Sequence, residues 1–360
     1  MKKNIVACIL VIAMLLSVGT TAVFAENTAQ SLVEDINIDR KDISSSQDPF
    51  EFPITPNSKE WGNYSSVQLK EMLNIPLSTA EKMDTAALLK MVLEYPFMID
   101  IYAYDTIEQG FKGLSLEFNG AAVLLQRPDL AKNLLTHYKT STEKMLAVET
   151  KSHISDKEII QKMFMESLLL YPKVSDKLSE DEKHIIVTLS QQVADKFQIS
   201  PLVVGETSVT AAAPGDVLGY GYVYTPAPPV TVLVLKLQDF DAEQKKVINN
   251  DYDTRYPAAT RLSSATYNYN CHSYAWYLAS SSNPWWMNDP SAYMSESRYT
   301  QVTNPIAGDK VYWIGTHSGL VTSVSGSNIT VTSKWGAAGL YRHPINDCPY
   351  PIVIQKTFWR

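Results

Sequence analysis

The stretch from about residue 61 to residue 198 carries apolar side chains at helical spacing. Apolar residues recur there three and four positions apart, which predicts helices with one buried face. The clearest example is the set Ile186, Leu189, Val193 and Phe197. This pattern predicts an all-helical domain over residues 61–198, with six or seven helices.

Three Ser-x-x-Glu patterns mark possible helix starts within this stretch. In such a capping box, the two side chains satisfy main-chain N–H groups that have no partner inside the helix. The three pairs are Ser78 with Glu81, Ser155 with Glu158, and Ser179 with Glu182.

The pattern changes after residue 198. Residues 199–229 are rich in Gly and Pro with β-favouring Val and Tyr, and they are either an interdomain linker or the opening hairpin of a second domain. Beyond them, the pattern predicts a strand at Val230–Leu237 and a short helix at Asp241–Tyr252. We therefore expect a second domain over residues 230–360.

The last part of the chain is rich in strands. Three are predicted at Lys310–Ile314, His317–Val324 and Asn328–Trp335, joined by turns that contain Gly. A helix followed by an antiparallel meander is typical of an α+β domain. The fold class predicted for the whole chain is α+β, with an all-helical N-terminal domain.

The first 25 residues look like a secretory signal. Lys2 and Lys3 precede the apolar run Ile5–Leu16, and Ala22–Ala25 matches a signal cleavage pattern. We expect residues 26–60 to form an extended or disordered lead. No other segment approaches the roughly 18 apolar residues of a membrane span, so we expect no stable membrane insertion after signal cleavage. The protein is expected to be secreted, either extracellular or associated with the cell wall.

Charge and composition narrow the partners. The net charge of −7 would become −7 − 2 = −9 when Lys2 and Lys3 leave with the signal. An acidic chain without long basic runs argues against a nucleic-acid partner. Because there is no C-x-x-C pair and no H-E-x-x-H pattern, we expect no metal and no cofactor.

The chemistry depends on two cysteines. Once Cys8 has left with the signal, Cys271 and Cys348 remain, and a disulfide between them is one alternative. The other alternative is that Cys271 is a nucleophile. Asn270 is a plausible N-cap for a helix through Leu278, which puts Cys271 in the first turn, where thiolates are favoured.

A thiol nucleophile needs a histidine that takes its proton. His317 begins a predicted strand and can project toward the Cys271 helix, so it is the first candidate, with His343 in reserve. His272 points about 100° away from its neighbour Cys271 on a helix, which makes it a poor partner for the sulfur. The main-chain N–H of Cys271 and the side chain of Asn270 are natural oxyanion donors, although Asn270 could equally be only a cap.

The group that orients the imidazole is less well defined. Hairpin register puts Lys334 near His317, but a protonated Lys cannot accept the imidazole N–H, so it marks only the position. Ser333 could orient the ring if a bulge re-aims it. A main-chain carbonyl or a water molecule would also serve. Among the nearby aromatic residues, Tyr269 and Trp335 are the candidates for lining a substrate groove.

These motifs resemble the NlpC/P60 and CHAP superfamily of papain-like cysteine peptidases and amidases. The resemblance covers roughly Tyr267–Tyr350 and includes the Cys helix, the Gly308-Asp309 turn and the strand that begins at His317. It implies a papain-like domain with a nucleophile helix packed on an antiparallel sheet. It also implies Cys271 as nucleophile, His317 as base, and amide bonds of bacterial cell-wall peptides as substrate.

The chain departs from the family pattern in two places. The family commonly has Asp-Cys-Ser-Gly or Gln-Cys at the nucleophile, whereas Asn270, His272 and Ser273 surround Cys271 here. The family's third polar residue falls near Thr332–Lys334, where no His, Asn, Gln or Glu occurs. The helical half resembles an uncharacterised domain of secreted Gram-positive proteins, which implies no activity.

The leading hypothesis is therefore a secreted cysteine amidase or peptidase acting on peptidoglycan peptide or on protein. One alternative is an acyltransferase or transamidase that uses the same Cys–His pair with an amine acceptor. The other is a non-catalytic wall- or protein-binding module on a degenerate papain-like scaffold.

Overall fold

The computed structural model describes residues 51–204, 212–295 and 298–360. The predicted signal at residues 1–25 and most of the predicted lead, up to residue 50, lie outside the described residues. Residues 46–360 group into one compact unit. Among the described helices, none is long and apolar enough to cross a membrane.

Ten α-helices lie in the described part of the chain, nine of them in the helical region before residue 198. The predicted count of six or seven was too low because several are only one or two turns long. They are α1 (Ser66–Met72), α2 (Leu77–Lys82), α3 (Thr85–Glu94), α4 (Ile107–Glu117), α5 (Asn119–Leu124), α6 (Leu130–Ala147), α7 (Asp156–Leu170), α8 (Pro172–Ser175), α9 (Glu180–Phe197) and α10 (Ala242–Arg255). Short 3₁₀ turns lie at Trp61–Asn63, Met98–Ala103, Lys151–His153 and Ser291–Tyr293.

Two of the three predicted capping boxes are confirmed. Ser155 caps α7 and Ser179 caps α9, each with a reciprocal bond from the Glu three residues later. The prediction for Ser78 is wrong, because the N-cap of α2 is Pro76, two residues earlier. Two further boxes use Gln in place of Glu, and they open α1 and α10.

In the described residues, nine strands follow the helical region. They are β1 (Val217–Tyr224), β2 (Thr231–Leu237), β3 (Thr260–Ser263), β4 (Gln301–Val302), β5 (Lys310–Trp313), β6 (His317–Ser325), β7 (Asn328–Lys334), β8 (Leu340–Pro344) and β9 (Lys356–Trp359). β1 and β2 pair as an antiparallel hairpin. Of the two alternatives for residues 199–229, the hairpin therefore describes the part from residue 217 onward.

The other seven strands form one antiparallel sheet in the order β3-β8-β7-β6-β5-β9-β4. The predicted three-strand meander is confirmed as its centre, β5-β6-β7. The mixed α+β class, with a helical region first and an antiparallel sheet after it, is confirmed by this arrangement.

The helical region and the sheet share one apolar core. Buried side chains from residue 54 to residue 350 belong to the same cluster. Main-chain carbonyls of the 3₁₀ turn Met98–Ala103 accept hydrogen bonds from the second half of the chain: Ile99 from the Tyr252 hydroxyl at 3.0 Å, and Ala103 from the Tyr350 hydroxyl at 2.6 Å. The predicted domain limits stay predictions, but the two regions are packed together, which brings residues of the helical region to the site described next.

Candidate active site

Cys271 opens a short helical segment that continues as a π-helical turn over Ser273–Tyr277. The chain is extended again at Leu278, so the helix is shorter than predicted. The Asn270 side-chain oxygen accepts a hydrogen bond from the Ser273 main-chain N–H at 3.1 Å, which is the bond of an N-cap. The start of a helical segment at Cys271 and the capping role of Asn270 are both present.

Asn270 is also held from the other side. Its amide nitrogen donates to the Asp105 carboxylate at 2.8 Å and to the Met287 carbonyl at 2.6 Å. Because both N–H groups are engaged, an oxyanion role for the Asn270 side chain would require one of these bonds to be given up. That role stays a prediction.

Asp105 brings the helical region into the site. It follows the 3₁₀ turn Met98–Ala103, and its second carboxylate oxygen lies 3.2 Å from Nε2 of His272. One donor atom each from Asp105, Cys271 and His272 lies within 4.8 Å of the other two. The expectation that His272 is poorly placed to approach the Cys271 sulfur was therefore wrong. Adjacent side chains leave a helix in different directions, but the contact with the Asp105 carboxylate holds this ring in the site.

Ser318 on β6 ties the strand to this cluster. Its hydroxyl oxygen lies 2.8 Å from Nδ1 of His272 and accepts a 2.8 Å hydrogen bond from the indole N–H of Trp276. The main-chain N–H of Ser318 is directed at the Cys271 sulfur. The β6 side chain that hydrogen-bonds to the Cys271 helix is thus Ser318, which the sequence analysis did not single out.

Burial and neighbouring groups shift the pKa values of Cys271 and His272 in opposite directions. Burial alone would lower the pKa of His272, but Cys271 and the Asp105 carboxylate outweigh it and hold that pKa well above the ordinary value. Burial raises the pKa of the Cys271 thiol, and His272 and the Ser318 N–H offset this only in part. Cys271 and His272 thus shift each other's pKa as a coupled pair.

His317 is the opposite kind of histidine. Its ring stacks on Tyr350 with centroids 3.9 Å apart and contacts Trp313 at 4.7 Å. It is fully buried, and among the described residues neither ring nitrogen has a hydrogen-bond partner. Burial lowers its pKa well below the ordinary value, so the ring is neutral.

The residues proposed to orient His317 have other partners. The Ser333 hydroxyl lies 2.8 Å from Nε2 of His343, so it is paired with the reserve base. Lys334 is buried and donates to the carbonyls of Thr266 at 3.0 Å and Gly336 at 2.6 Å, and to that of Ala338. Burial lowers the pKa of Lys334 to about 7. In the described residues, neither Ser333 nor Lys334 is hydrogen-bonded to His317.

The remaining predicted site residues are buried too. Tyr269 and Trp335 are 1% and 0% exposed, so a substrate groove along them would require neighbouring segments to move. Burial lowers the pKa of His343 to about 4. Cys271 and Cys348 are both free thiols in the structure.

The sequence analysis missed Asp105 because its partner Asn270 lies 165 positions away in the chain. No periodicity or local motif connects the two. Among the described residues, the ligand atoms of Asp105, Cys271 and His272 lie close enough to one another to hold a metal ion. No protein-family model, curated protein or solved structure matches this chain.

Proposed function

We propose that this protein is a secreted cysteine amidase or peptidase of NlpC/P60–CHAP type, acting on amide bonds of bacterial cell-wall peptides. The observation that carries the proposal is a free thiol, Cys271, at the start of a helical segment and clustered with His272 and Asp105. Two histidines in opposite hydrogen-bonding states are the candidates for its base. His272 has both ring nitrogens engaged by Asp105 and Ser318. His317, immediately before Ser318, has neither engaged among the described residues.

A base needs a ring nitrogen with a free lone pair. His317 meets this condition, whereas His272 would first have to break a bond to Ser318 or Asp105. We therefore keep His317 as the base, as predicted from the sequence. His272, fixed between Asp105 and Ser318, contributes positive charge beside the sulfur and positions the segment that carries Cys271.

The reaction then follows the usual thiol course. The Cys271 sulfur attacks the amide carbonyl carbon while His317 takes the thiol proton. The C–N bond breaks as His317 returns that proton to the leaving amine, which leaves a thioester on Cys271. Water hydrolyses the thioester, and the Cys271 main-chain N–H remains the predicted oxyanion donor.

The test uses purified peptidoglycan and the mature chain. Cys271→Ala should lose hydrolysis by about a thousandfold or more, because the covalent route is removed. Cys348→Ala is the matched control, since it removes the other buried free thiol and should retain activity. Release of peptide fragments by Cys271→Ala at the wild-type rate would contradict the proposal.

The choice of base has its own comparison. His317→Asn should lower kcat by about 10²–10⁴-fold, the usual contribution of a general base. If His272→Asn lowers kcat as much while His317→Asn does not, His272 is the base and our assignment of the two histidines is wrong.

A second candidate is a non-catalytic binding module on the same scaffold. It is favoured by the burial of Cys271, which is 1% exposed, and of His317, which is 0% exposed. A chain that sediments with cell walls, releases no fragments and whose Cys271 resists electrophilic thiol probes would support this candidate instead.

A further inference from the structure

We propose that Asp105, Cys271 and His272 form a binding site for a zinc-class divalent cation. No metal is expected from the sequence, since the chain has no ligand pair at the spacing of a known metal motif. This site is assembled instead by the fold, from a turn after the helical region and from two adjacent residues at the start of the Cys271 helix. The inference does not depend on the protein being a hydrolase.

The donor set selects the class of metal. It combines one thiol sulfur, one imidazole nitrogen and one carboxylate oxygen, and zinc binds all three types in proteins. A carboxylate, an imidazole and a thiolate also bring two negative charges to a dication. Three protein donors leave a fourth position of a tetrahedral zinc site for water or another small ligand.

The spacing fits with a small adjustment. With metal–ligand bonds of about 2.1 Å, nitrogen and oxygen donors of a tetrahedral site are separated by about 3.4 Å. Nε2 of His272 and the facing oxygen of Asp105 are 3.2 Å apart. All three donor atoms lie within 4.8 Å of one another, so the sulfur needs to move by about 1 Å at most to complete the site.

His272 and Asp105 are each held in place by a hydrogen bond through a second polar atom. His272 keeps Nδ1 on the Ser318 hydroxyl, and the Asp105 oxygen that does not face His272 accepts from the Asn270 amide. The Ser318 main-chain N–H faces the Cys271 sulfur. Outer hydrogen bonds of this kind orient the ligands of metal sites and raise affinity by about 10–100-fold each.

Other clusters in the described residues lack this combination. The buried groups Lys70, Asp100 and Glu117 include a lysine ammonium that already neutralises the carboxylates. The same is true of Lys162 with Glu166. Cys348 donates a long hydrogen bond to the Ile345 carbonyl, at 3.7 Å, and among the described residues it belongs to no group of three closely spaced metal-ligating side chains.

The experiment is a titration of the mature, chelator-treated chain with Co²⁺, a spectroscopic substitute for Zn²⁺. Long equilibration is needed because the ligands are buried. We expect a thiolate-to-cobalt absorption band at one equivalent, displaced by Zn²⁺. Cys271→Ser should abolish the band, and the matched variant Cys348→Ser should keep it. Absence of the band in the wild type, or its persistence in Cys271→Ser, would overturn the proposal.

Two further variants test the other ligands. Asp105→Asn and His272→Asn should each weaken Zn²⁺ binding by at least about 100-fold, and Ser318→Ala by about 10–100-fold. His317→Asn should leave it unchanged. If circular dichroism shows that Asp105→Asn does not fold, the Zn²⁺ affinity of Ser318→Ala still tests the site. Wild-type affinity in both Ser318→Ala and His272→Asn would refute the site.

The metal readout needs no substrate, so it is independent of the hydrolase proposal. A sulfur that holds the metal cannot attack an amide, so activity is measured on the chelator-treated chain. A cobalt band in a protein whose metal-free form releases no wall fragments would refute the proposed function and support the metal site. Hydrolysis without any cobalt band would refute the metal site and support the function.

Discussion

Two buried polar clusters, one in the helical region and one at Cys271, are built on opposite principles. In the helical region, the Glu166 carboxylate accepts hydrogen bonds from Lys162 at 2.6 Å, Tyr138 at 2.7 Å, Ser190 at 2.5 Å and the Leu202 main chain at 3.1 Å. Every charge there has its partner. At the other cluster, Cys271 is a free thiol. His317, which directly precedes the cluster residue Ser318, is buried with neither ring nitrogen hydrogen-bonded among the described residues.

The difference separates stability from function. A fully satisfied buried network fixes one packing arrangement, whereas an unpartnered buried polar group costs about 1–3 kcal/mol. Such a cost is retained where the free group is used. The Glu166 cluster should therefore respond to mutation in stability alone, and the Cys271 cluster mainly in chemistry.

The largest expected effect is on the helical cluster. Glu166→Ala leaves the ammonium of Lys162, which is 1% exposed, without its counter-charge, so we expect a loss of about 3–5 kcal/mol in the free energy of unfolding. Denaturant unfolding measures it. Glu180→Ala on the exposed face of α9 is the control and should change stability by less than about 0.5 kcal/mol. A Glu166→Ala protein as stable as the control would contradict the contrast.

The next effect concerns pH and a carboxylate outside both clusters. Asp251 is paired with Arg255 at 2.6 Å, while its other oxygen is buried without a partner among the described residues. Burial raises its pKa from 3.8 to about 7, against the attraction of Arg255. The folded state thus holds this proton more tightly than the unfolded state. Its contribution to stability is present below pH 3.8 and is lost as the pH rises to about 7.

Asp251→Asn removes this titration and keeps an acceptor for Arg255. Unfolding free energies measured from pH 4 to pH 7 should fall less steeply in the variant, by about 2–4 kcal/mol over the range. Glu117, whose pKa is raised to about 7 mainly by burial, leaves a residual slope of the same sign. A slope in Asp251→Asn identical to that of the wild type would refute the assignment.

A smaller effect distinguishes a confirmed capping box from the one that was wrong. Ser155→Ala removes the N-cap of α7 and should cost about 1 kcal/mol. Ser78→Ala lies inside α2 on an exposed position, where Ala is a better helix former, so stability should stay within about 0.5 kcal/mol or rise. Equal losses in the two variants would show that the helix starts are misassigned.

Features that depend on contacts between residues close in sequence could be predicted, and features that depend on contacts between distant residues could not. Ser155, Ser179 and the Cys271 turn are local, since each partner lies three residues away, and their patterns were readable. The fold class followed from periodicity. Asp105 was not predictable, because its bond to Asn270 depends on how the helical region packs on the sheet.

The same limit explains the histidines. Spacing on a helix argued that His272 diverges from Cys271, but long-range partners, Asp105 and Ser318, decide where the ring lies. Hairpin register placed Lys334 near His317, with Ser333 reaching the ring only through a bulge, and both side chains are engaged elsewhere. Register specifies which residues are opposite each other and does not specify which polar atoms remain free.

The most direct test of the contrast is His317→Phe, measured for both stability and hydrolysis of cell-wall peptide. Phenylalanine keeps a ring against Tyr350 and removes two ring nitrogens that have no hydrogen-bond partner in the described part of the chain. We predict that the free energy of unfolding stays level or rises by about 1 kcal/mol, while hydrolysis falls by about 10²–10⁴-fold. A variant that hydrolyses at the wild-type rate, or that is destabilised as strongly as Glu166→Ala, would contradict the account.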